Sequence, residues 1–116
     1  MQSLLNPDSG MRLPGFETSI WRDYRLDDIC TIVGGGTPDT QNASYWEGDI
    51  PWISSSDLID GNIRHLSVTR YISREAITNS ATRICPKDTI LVVSRVGVGK
   101  LTIAPFELCT SQDFTN

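Results

Sequence analysis

The amino-acid sequence predicts an α+β fold: a single domain with a twisted sheet of mixed or antiparallel strands and short helices. Its 116 residues, 39% of them hydrophobic and 21% charged, suffice for one core and are too apolar for a disordered chain. Several short β-branched or apolar runs lie between turn signals, and two short stretches have helical spacing or a helix cap. These three observations predict the α+β fold class.

The first elements are an arm and a helix. Residues 1–11 have no periodicity, so we expect a flexible N-terminal arm before a domain over residues 12–116. Three glycines at 34–36 should end the helix, because glycine there loses much backbone entropy. The helix itself is predicted from apolar residues spaced three and four apart and from two acidic residues near its start, which are Leu26, Ile29, Cys30, Val33, Asp27 and Asp28.

The middle of the chain combines a loop with a short strand. Residues 37–49 are mostly small, polar or turn-forming and predict a long surface loop that exposes the pair Tyr45 and Trp46. Residues 50–53 (IPWI) predict a strand whose proline marks either its beginning or a sheet edge. The cluster Ser54–Asp57 can cap a helical turn or present hydroxyls.

The second half supplies the centre of the sheet. After a turn at residues 60–61 and an extended stretch to residue 71, Ser73 is expected to cap a second short helix. The β-branched run 89–94 predicts the central strand, covered on both faces, and the turn 96–99 joins it to residues 101–103 as a hairpin. No turn follows the last strand-like segment, so we expect a domain truncated at its C-terminal end.

The charge is unevenly distributed along the chain. The net charge is -4, which by itself disfavours a nucleic-acid partner. Residues 1–61 hold ten acidic and three basic side chains, whereas residues 62–104 hold seven basic and two acidic ones. Such a basic stretch is compatible with a DNA-binding face and equally with a solvated surface.

Catalytic and metal chemistry find no support in the sequence. The run Gly97-Val98-Gly99-Lys100 resembles the end of a phosphate-binding P-loop, but Leu101 replaces the required hydroxyl and Ser94 the first glycine. His65 is the only histidine and has no zinc-type partner. The three cysteines are too widely spaced for a zinc site or a disulfide scaffold and are interpreted as free, buried thiols: Cys30, Cys85 and Cys109. We therefore expect no enzyme activity.

Five motifs follow one another along the first half of the chain: Arg12–Phe16, Trp21, Leu26–Ile29, Gly35–Pro38 and Gly48–Ile53. In this order they resemble the N-terminal target-recognition domain of Type I restriction-modification specificity subunits. The similarity extends from about residue 12 to the end, with one departure, Asp27 where the family usually has glycine. Further similar segments are Ser56–Leu58, the helix entry at Ile72 and Ser73, Thr89–Ser94 and Thr110–Phe114.

The resemblance implies a function and its partners. Such a domain recognises one half of a bipartite sequence in double-stranded DNA and directs modification (methyltransferase) and restriction subunits. The resemblance places S-adenosylmethionine, ATP and Mg²⁺ on those partner subunits, so no cofactor is expected here. Because no apolar run approaches a membrane span and no signal peptide is visible, we expect a cytoplasmic protein without membrane contact.

Candidate DNA contacts lie in the polar loops beside the shared motifs. Motif residues such as Gly36 and Trp52 are interpreted mainly as scaffold, since base-reading residues should vary with the target. Arg95 is a candidate guanine reader or phosphate clamp and Lys100 a candidate phosphate contact. The full set is Thr37, Thr40, Asn42, Tyr45, Trp46, Ser54, Ser55, Ser56, Arg95, Gly97 and Lys100.

Other functions stay open at this point. By composition alone, carbohydrate or protein recognition would use the same aromatic and hydroxyl side chains. A protein-interaction module would use an exposed sheet edge or the aromatic loop for dimerisation, a self-association of the chain, or for docking to the modification subunit. A nucleotide-using enzyme depends entirely on the incomplete P-loop.

Overall fold

The computed structural model describes residues 22–116. The chain divides into two compact units, one that ends at Thr31 and one over Ile32–Asn116. The predicted arm, the boundary at residue 12 and the motifs at Arg12–Phe16 and Trp21 lie outside the described residues.

The first helix is shorter than the sequence predicts. Helix α1 covers Leu26–Ile29, and its Leu26 and Ile29 side chains are exposed. Cys30 is already extended, and Val33 exchanges two backbone hydrogen bonds with Asn116, at 2.7 and 2.8 Å. The predicted helix end at Gly34–Gly36 is therefore wrong, because pairing with the end of the chain satisfies the backbone of Val33 in an extended form.

Six strands form two sheets of three strands each. The first sheet has the order β2–β1–β5, with β1 over Ile50–Ile53, β2 over Arg70–Ile72 and β5 over Cys109–Thr110. Strand β1 pairs antiparallel with β2 and parallel with β5. The second sheet, β4–β3–β6, is antiparallel and comprises Leu101–Ile103, Ile90–Val93 and Phe114–Thr115. The α+β class is confirmed, with the strands shared between a mixed and an antiparallel sheet.

The two central strands are β1 and β3, as the order of each sheet shows. Pro51 is the second residue of β1, so it marks the beginning of a strand and not a sheet edge. In β3, Leu91 and Val93 are buried while the Ile90 side chain is 60% exposed. The prediction that β3 is covered on both faces is wrong, because the Ile90 side chain on the second face is open to solvent.

Two hydrophobic clusters stabilise the sheets. The first cluster takes residues from both sheets and so joins them. The second cluster lies between the first sheet, helix α2 (Arg74–Thr78) and a 3₁₀ turn over Ala43–Trp46. The first cluster consists of Ile53, Leu58, Cys85, Leu91, Val93, Ala104, Leu108 and Phe114, and the second of Ile50, Trp52, Ile72, Ala76 and Cys109.

Local cap and turn chemistry follows the sequence closely. The Ser73 hydroxyl accepts a hydrogen bond from the Ala76 amide at 3.2 Å and caps α2, as predicted. Gly61 has a φ of 79° in the predicted turn, and the β3–β4 hairpin is confirmed. Of the stretch 63–71, only its end joins a strand, β2.

Two of the three cysteines match the prediction. All three are free, and Cys85 and Cys109 are buried. Burial raises the pKa of Cys109 to about 11 and also raises the pKa of Cys85, so both thiols stay protonated at neutral pH. Cys30 is exposed, contrary to the prediction: helix α1 ends beside it, and its thiol donates a hydrogen bond to the Leu26 carbonyl.

Candidate nucleic-acid interface

The carboxyl ends of three strands come together on one surface. Strands β1 and β5 are parallel neighbours, so the residues after them, Ser54 and Ser111, leave the first sheet at the same end. The Ser111 amide donates to the Ile53 carbonyl at 2.9 Å. The end of β3 joins them, because the Ser94 amide donates to the Asp113 carbonyl at 2.8 Å. We call this the strand-end surface, formed by Thr37, Ser54–Ser56, Arg70, Arg95–Lys100, Gln112 and Asp113.

The serine cluster of this surface is held by a cap. Ser55–Asp57 form a 3₁₀ turn, and the buried Asp57 carboxylate accepts a hydrogen bond from the Ser54 amide at 2.9 Å. The hydroxyl oxygens of Ser54 and Ser56 lie 3.0 Å apart. Both predictions for this cluster are confirmed. The segment caps a turn, and it presents hydroxyls, since Ser56 is exposed.

The glycine turn after β3 reaches the serine cluster. Gly97 and Gly99 have φ values of 83° and 100°, a region that glycine adopts without steric cost. The turn brings the Lys100 ammonium within 3.3 Å of the Ser55 carbonyl. Arg95 Nε lies 3.9 Å from Asp113 Oδ1, and the Arg95 side chain is 63% exposed. Lys100 and Ser55, predicted separately as contacts, are therefore neighbours.

The loop that begins with the glycine run is mostly scaffold. The Gly36 amide donates to the Thr110 carbonyl at 2.9 Å, and the Gly36 carbonyl accepts from the Trp52 indole at 3.0 Å. Pro38 is fully buried. Thr37 is exposed between them, and its hydroxyl bonds the Gln112 side chain. Of this motif, Thr37 alone contributes an exposed side chain to the strand-end surface.

The predicted contacts further along that loop have other roles. The Asn42 side chain accepts hydrogen bonds from the Ser44 amide at 3.2 Å and hydroxyl at 2.6 Å, and so caps the 3₁₀ turn. The Tyr45 carbonyl accepts from the Ser73 amide at 2.9 Å, beside the start of β1 and thus away from Ser54. Thr40 is exposed in the turn before Asn42. Within residues 22–116, no hydrogen bond or ion pair joins these three residues to the strand-end surface.

The aromatic pair is half-buried, contrary to the prediction of an exposed pair. Both Tyr45 and Trp46 pack against the second cluster. The Trp46 indole donates to the Asp39 carbonyl at 3.2 Å, and its ring meets Trp52 edge-on with the centroids 5.0 Å apart. The reason is that the loop folds back over the first sheet, where these rings cover Trp52 and Ile72.

Arg70 is a site residue that the sequence analysis missed. Its guanidinium carbon lies 4.4 Å from the Trp52 ring centroid and 5.9 Å from that of Trp46. Its Nη2 donates to the Ser54 hydroxyl at 2.9 Å. The only signal in the sequence was its place in the basic stretch, because its opposition to Trp52 arises from the pairing of β1 with β2.

The strand-end surface thus combines three cations with several hydroxyls. Arg70, Arg95 and Lys100 supply positive charge, and Asp113 is partly buried beneath Arg95. Within residues 22–116, no group of three or more histidine, cysteine or acidic side chains could hold a metal ion. None of the helices over this range combines the length and the hydropathy of a membrane span. The side chains of this surface can form hydrogen bonds and attract negative charge.

Comparison with known proteins identifies the class. The chain belongs to the family of Type I restriction modification DNA specificity domains, whose model matches residues 19–116. This confirms the resemblance seen in the motifs. Specificity subunits are the non-catalytic components of these systems, and the chain is of that kind.

Individual relatives agree with this class. The chain is 40% identical over 97 residues to the MjaIX specificity subunit of Methanocaldococcus jannaschii, covering 83% of this chain and 22% of the relative. It is 38% identical over 74 residues to the EcoR124I/EcoR124II specificity subunit of Escherichia coli, covering 63% of this chain and 18% of the relative. The chain therefore spans about a fifth of the length of these relatives.

A solved structure supports the fold. A chain from a study of complex assembly and conformational transition of the type I R-M system superposes with a TM-score of 0.64 at 23% identity. The match covers 94% of this chain and 25% of that chain.

Proposed function

We propose that this domain recognises one half of a bipartite DNA target through the strand-end surface. The observation that carries the proposal is the convergence of Arg70, Arg95 and Lys100 with the hydroxyls of Ser54 and Ser56 on one surface. Cations attract phosphates, and hydroxyls and guanidinium groups bond base edges. The local charge of this surface answers the objection raised by the net charge of -4.

In the whole protein, recognition would direct other subunits to the target. The proposal assigns methylation to modification subunits that bind S-adenosylmethionine, and cleavage to restriction subunits that use ATP and Mg²⁺. The domain itself then needs no cofactor, and the assembly would act on DNA in the cytoplasm. Because this chain spans about a fifth of its curated relatives, the test requires the full-length parent subunit.

The test is DNA selection by the full-length parent assembled with modification subunits, from a randomised duplex pool and over a salt series. We expect enrichment of a split motif, with affinity that falls as salt rises. Replacing Arg95 and Lys100 together by alanine should lower the salt slope by about 2, since each phosphate contact contributes about 0.9.

The matched control is the double variant of Arg74 and Lys87 to alanine. Both residues are exposed, and they lie after β2 and before β3, at the strand ends opposite to Arg70 and Arg95. The control should bind as the unsubstituted protein does. An unchanged affinity and salt slope in the Arg95 and Lys100 variant would refute the assignment of those contacts.

A docking module without DNA reading is the second candidate. The outer face of the second sheet exposes apolar side chains on paired strands, Ile90 at 60% and Leu101 at 37%. Such a face is suited to contact another protein. This candidate predicts an intact, salt-insensitive complex that enriches no DNA motif in the same selection.

A further inference from the structure

We propose that Arg70 reads a guanine in the DNA target, with its guanidinium held in place by the Trp52 ring and the Ser54 hydroxyl. This inference rests on the proposed function and deepens it, because it assigns one base-reading residue. Three features of the site carry it: a rigid platform, donors without a carboxylate partner within residues 22–116, and a guanidinium restrained by two contacts.

The Trp52 ring beside Arg70 is buried and is held by two neighbours. Trp52 lies directly opposite Arg70 in the β1–β2 register and is 3% exposed. Its indole N–H is bonded to the Gly36 carbonyl at 3.0 Å, and the Trp46 ring packs edge-on against it. The Trp52 ring therefore cannot turn without breaking a buried hydrogen bond, which costs more than an exposed one. Arg70 gains a cation–π contact at 4.4 Å from a ring of set orientation.

Within residues 22–116, the donors of Arg70 have no acidic partner. The ion pairs over this range are Arg25 with Asp27 and Arg95 with Asp113, and neither involves Arg70. In the same part of the chain, the Arg70 side chain donates one hydrogen bond, to the neutral Ser54 hydroxyl, and the residue is exposed. A guanidinium has five N–H donors, so most of them remain for a ligand. The charge is thus held in a defined place without a carboxylate to neutralise it.

The donor geometry of Arg70 matches a base edge. Guanine offers O6 and N7 as two acceptors in one plane, which matches two parallel N–H donors of arginine. A phosphate can also accept two guanidinium donors, but it is bound as well by a point charge on a flexible stem, such as lysine. The contact with the Trp52 ring and the hydrogen bond to Ser54 restrain the Arg70 guanidinium, a constraint that benefits a planar partner with fixed acceptors. Arg95 and Lys100, on flexible stems beside a glycine turn, are suited to phosphates.

The experiment uses the full-length parent in its complex with modification subunits and the duplex that this complex selects. Arg70→Lys and Arg70→Ala are compared with Arg74→Lys and Arg74→Ala, a matched pair on an exposed arginine after the other end of β2. Affinity is measured for the selected duplex and for every single-base change in the half-site. In parallel, the unsubstituted protein is tested on duplexes with 7-deazaguanine, which lacks N7, at each guanine.

We expect Arg70→Lys to lose a preference of roughly 5- to 150-fold for guanine at one position, the range of one bidentate contact. Other positions and the salt slope should be unchanged, because lysine keeps the charge. The unsubstituted protein should lose affinity on 7-deazaguanine at that same position, and Arg70→Ala should lose nothing further from the analogue. The Arg74 variants should select the original motif.

Several results would overturn the inference. The first is an Arg70→Lys variant that keeps the original preference for guanine. The second is an Arg70→Ala variant that loses affinity equally for all sequences. The third is a selected half-site that contains no guanine. The base analogue is tested on the unsubstituted protein, so a half-site in which 7-deazaguanine is tolerated at every guanine overturns the inference even if an Arg70 variant fails to fold. If the unsubstituted complex enriches no motif, the proposed function is wrong. If it enriches a motif that Arg70 does not influence, the proposed function stands and only the inference about Arg70 is wrong.

Discussion

At the scale of single residues, close backbone packing explains why the glycine run is part of a shared motif. A Cβ on Gly35 would lie 2.1 Å from the Ser111 carbonyl oxygen, and one on Gly36 would lie 2.5 Å from the Thr82 amide nitrogen. A Cβ on Gly34 would meet nothing within 4 Å. The sequence analysis interpreted these glycines as a helix end. Instead, Gly35 allows the chain to approach the segment after β5, and Gly36 allows it to approach Ala81 and Thr82.

This contrast makes a prediction about stability. Gly35→Ala should lower the free energy of unfolding by about 1–3 kcal/mol, because the new methyl group meets backbone that cannot rotate away. Gly34→Ala should change it by less than about 0.5 kcal/mol, since that position is open. Urea unfolding of the 116-residue chain measures both. Equal effects at the two positions would show that the segment after β5 does not pack against Gly35.

Arginine and lysine side chains show what residue-level reasoning can and cannot supply. The sequence analysis selected Lys100 from its place beside a glycine turn, and the structure sets it against Ser55. It did not select Arg70, whose position depends on contacts with Trp52 and Ser54, both distant in the chain. Residue type and local context identify exposed cations, whereas their partners depend on how strands pair.

At the scale of secondary-structure elements, the two helices differ in what supports them. Helix α2 has a serine cap and buries Ala76 in the second cluster. Helix α1 is one turn long, and none of its residues is buried within the described part of the chain. Short helices owe most of their stability to packing and caps, so apolar spacing alone overestimated α1 while the cap signal placed α2 correctly.

The cap of α2 can be tested directly. Ser73→Ala should lower the free energy of unfolding by about 1 kcal/mol, because the Ala76 amide loses its acceptor. Thr78→Ala in the same helix is the control and should be neutral or slightly stabilising, since Thr78 is exposed and alanine is the better helix former. The two variants are compared by their urea midpoints. A Ser73→Ala variant as stable as Thr78→Ala would show that the cap contributes nothing.

At the scale of the whole molecule, the first hydrophobic cluster connects the two sheets. Ile53 comes from β1 of the first sheet, while Leu91, Val93 and Phe114 come from the second. The serine cluster follows β1 and the glycine turn follows β3, so this shared core also sets the distance between the two halves of the strand-end surface. Loss of packing here should therefore affect both sheets at once.

Phe114→Ala tests this coupling. It removes a ring that is 2% exposed and should lower the free energy of unfolding by about 3–5 kcal/mol. Phe106→Ala, at a side chain that is 42% exposed, is the matched control and should cost less than about 1 kcal/mol. Tryptophan fluorescence and far-ultraviolet circular dichroism should give coincident urea transitions. Separate transitions in Phe114→Ala would mean that the sheets unfold independently.

The sequence by itself determined the fold class, the β1 and β3 strands, the hairpin turn, the cap of α2 and the family. These depend on residue type and short-range spacing, which local backbone preferences translate into structure. Only the tertiary structure decided that Trp46 is half-buried, that Lys100 contacts Ser55, and that Arg70 lies on Trp52. Those outcomes depend on strand register and on packing between segments far apart in the chain, because each contact requires two surfaces that no single stretch of sequence contains.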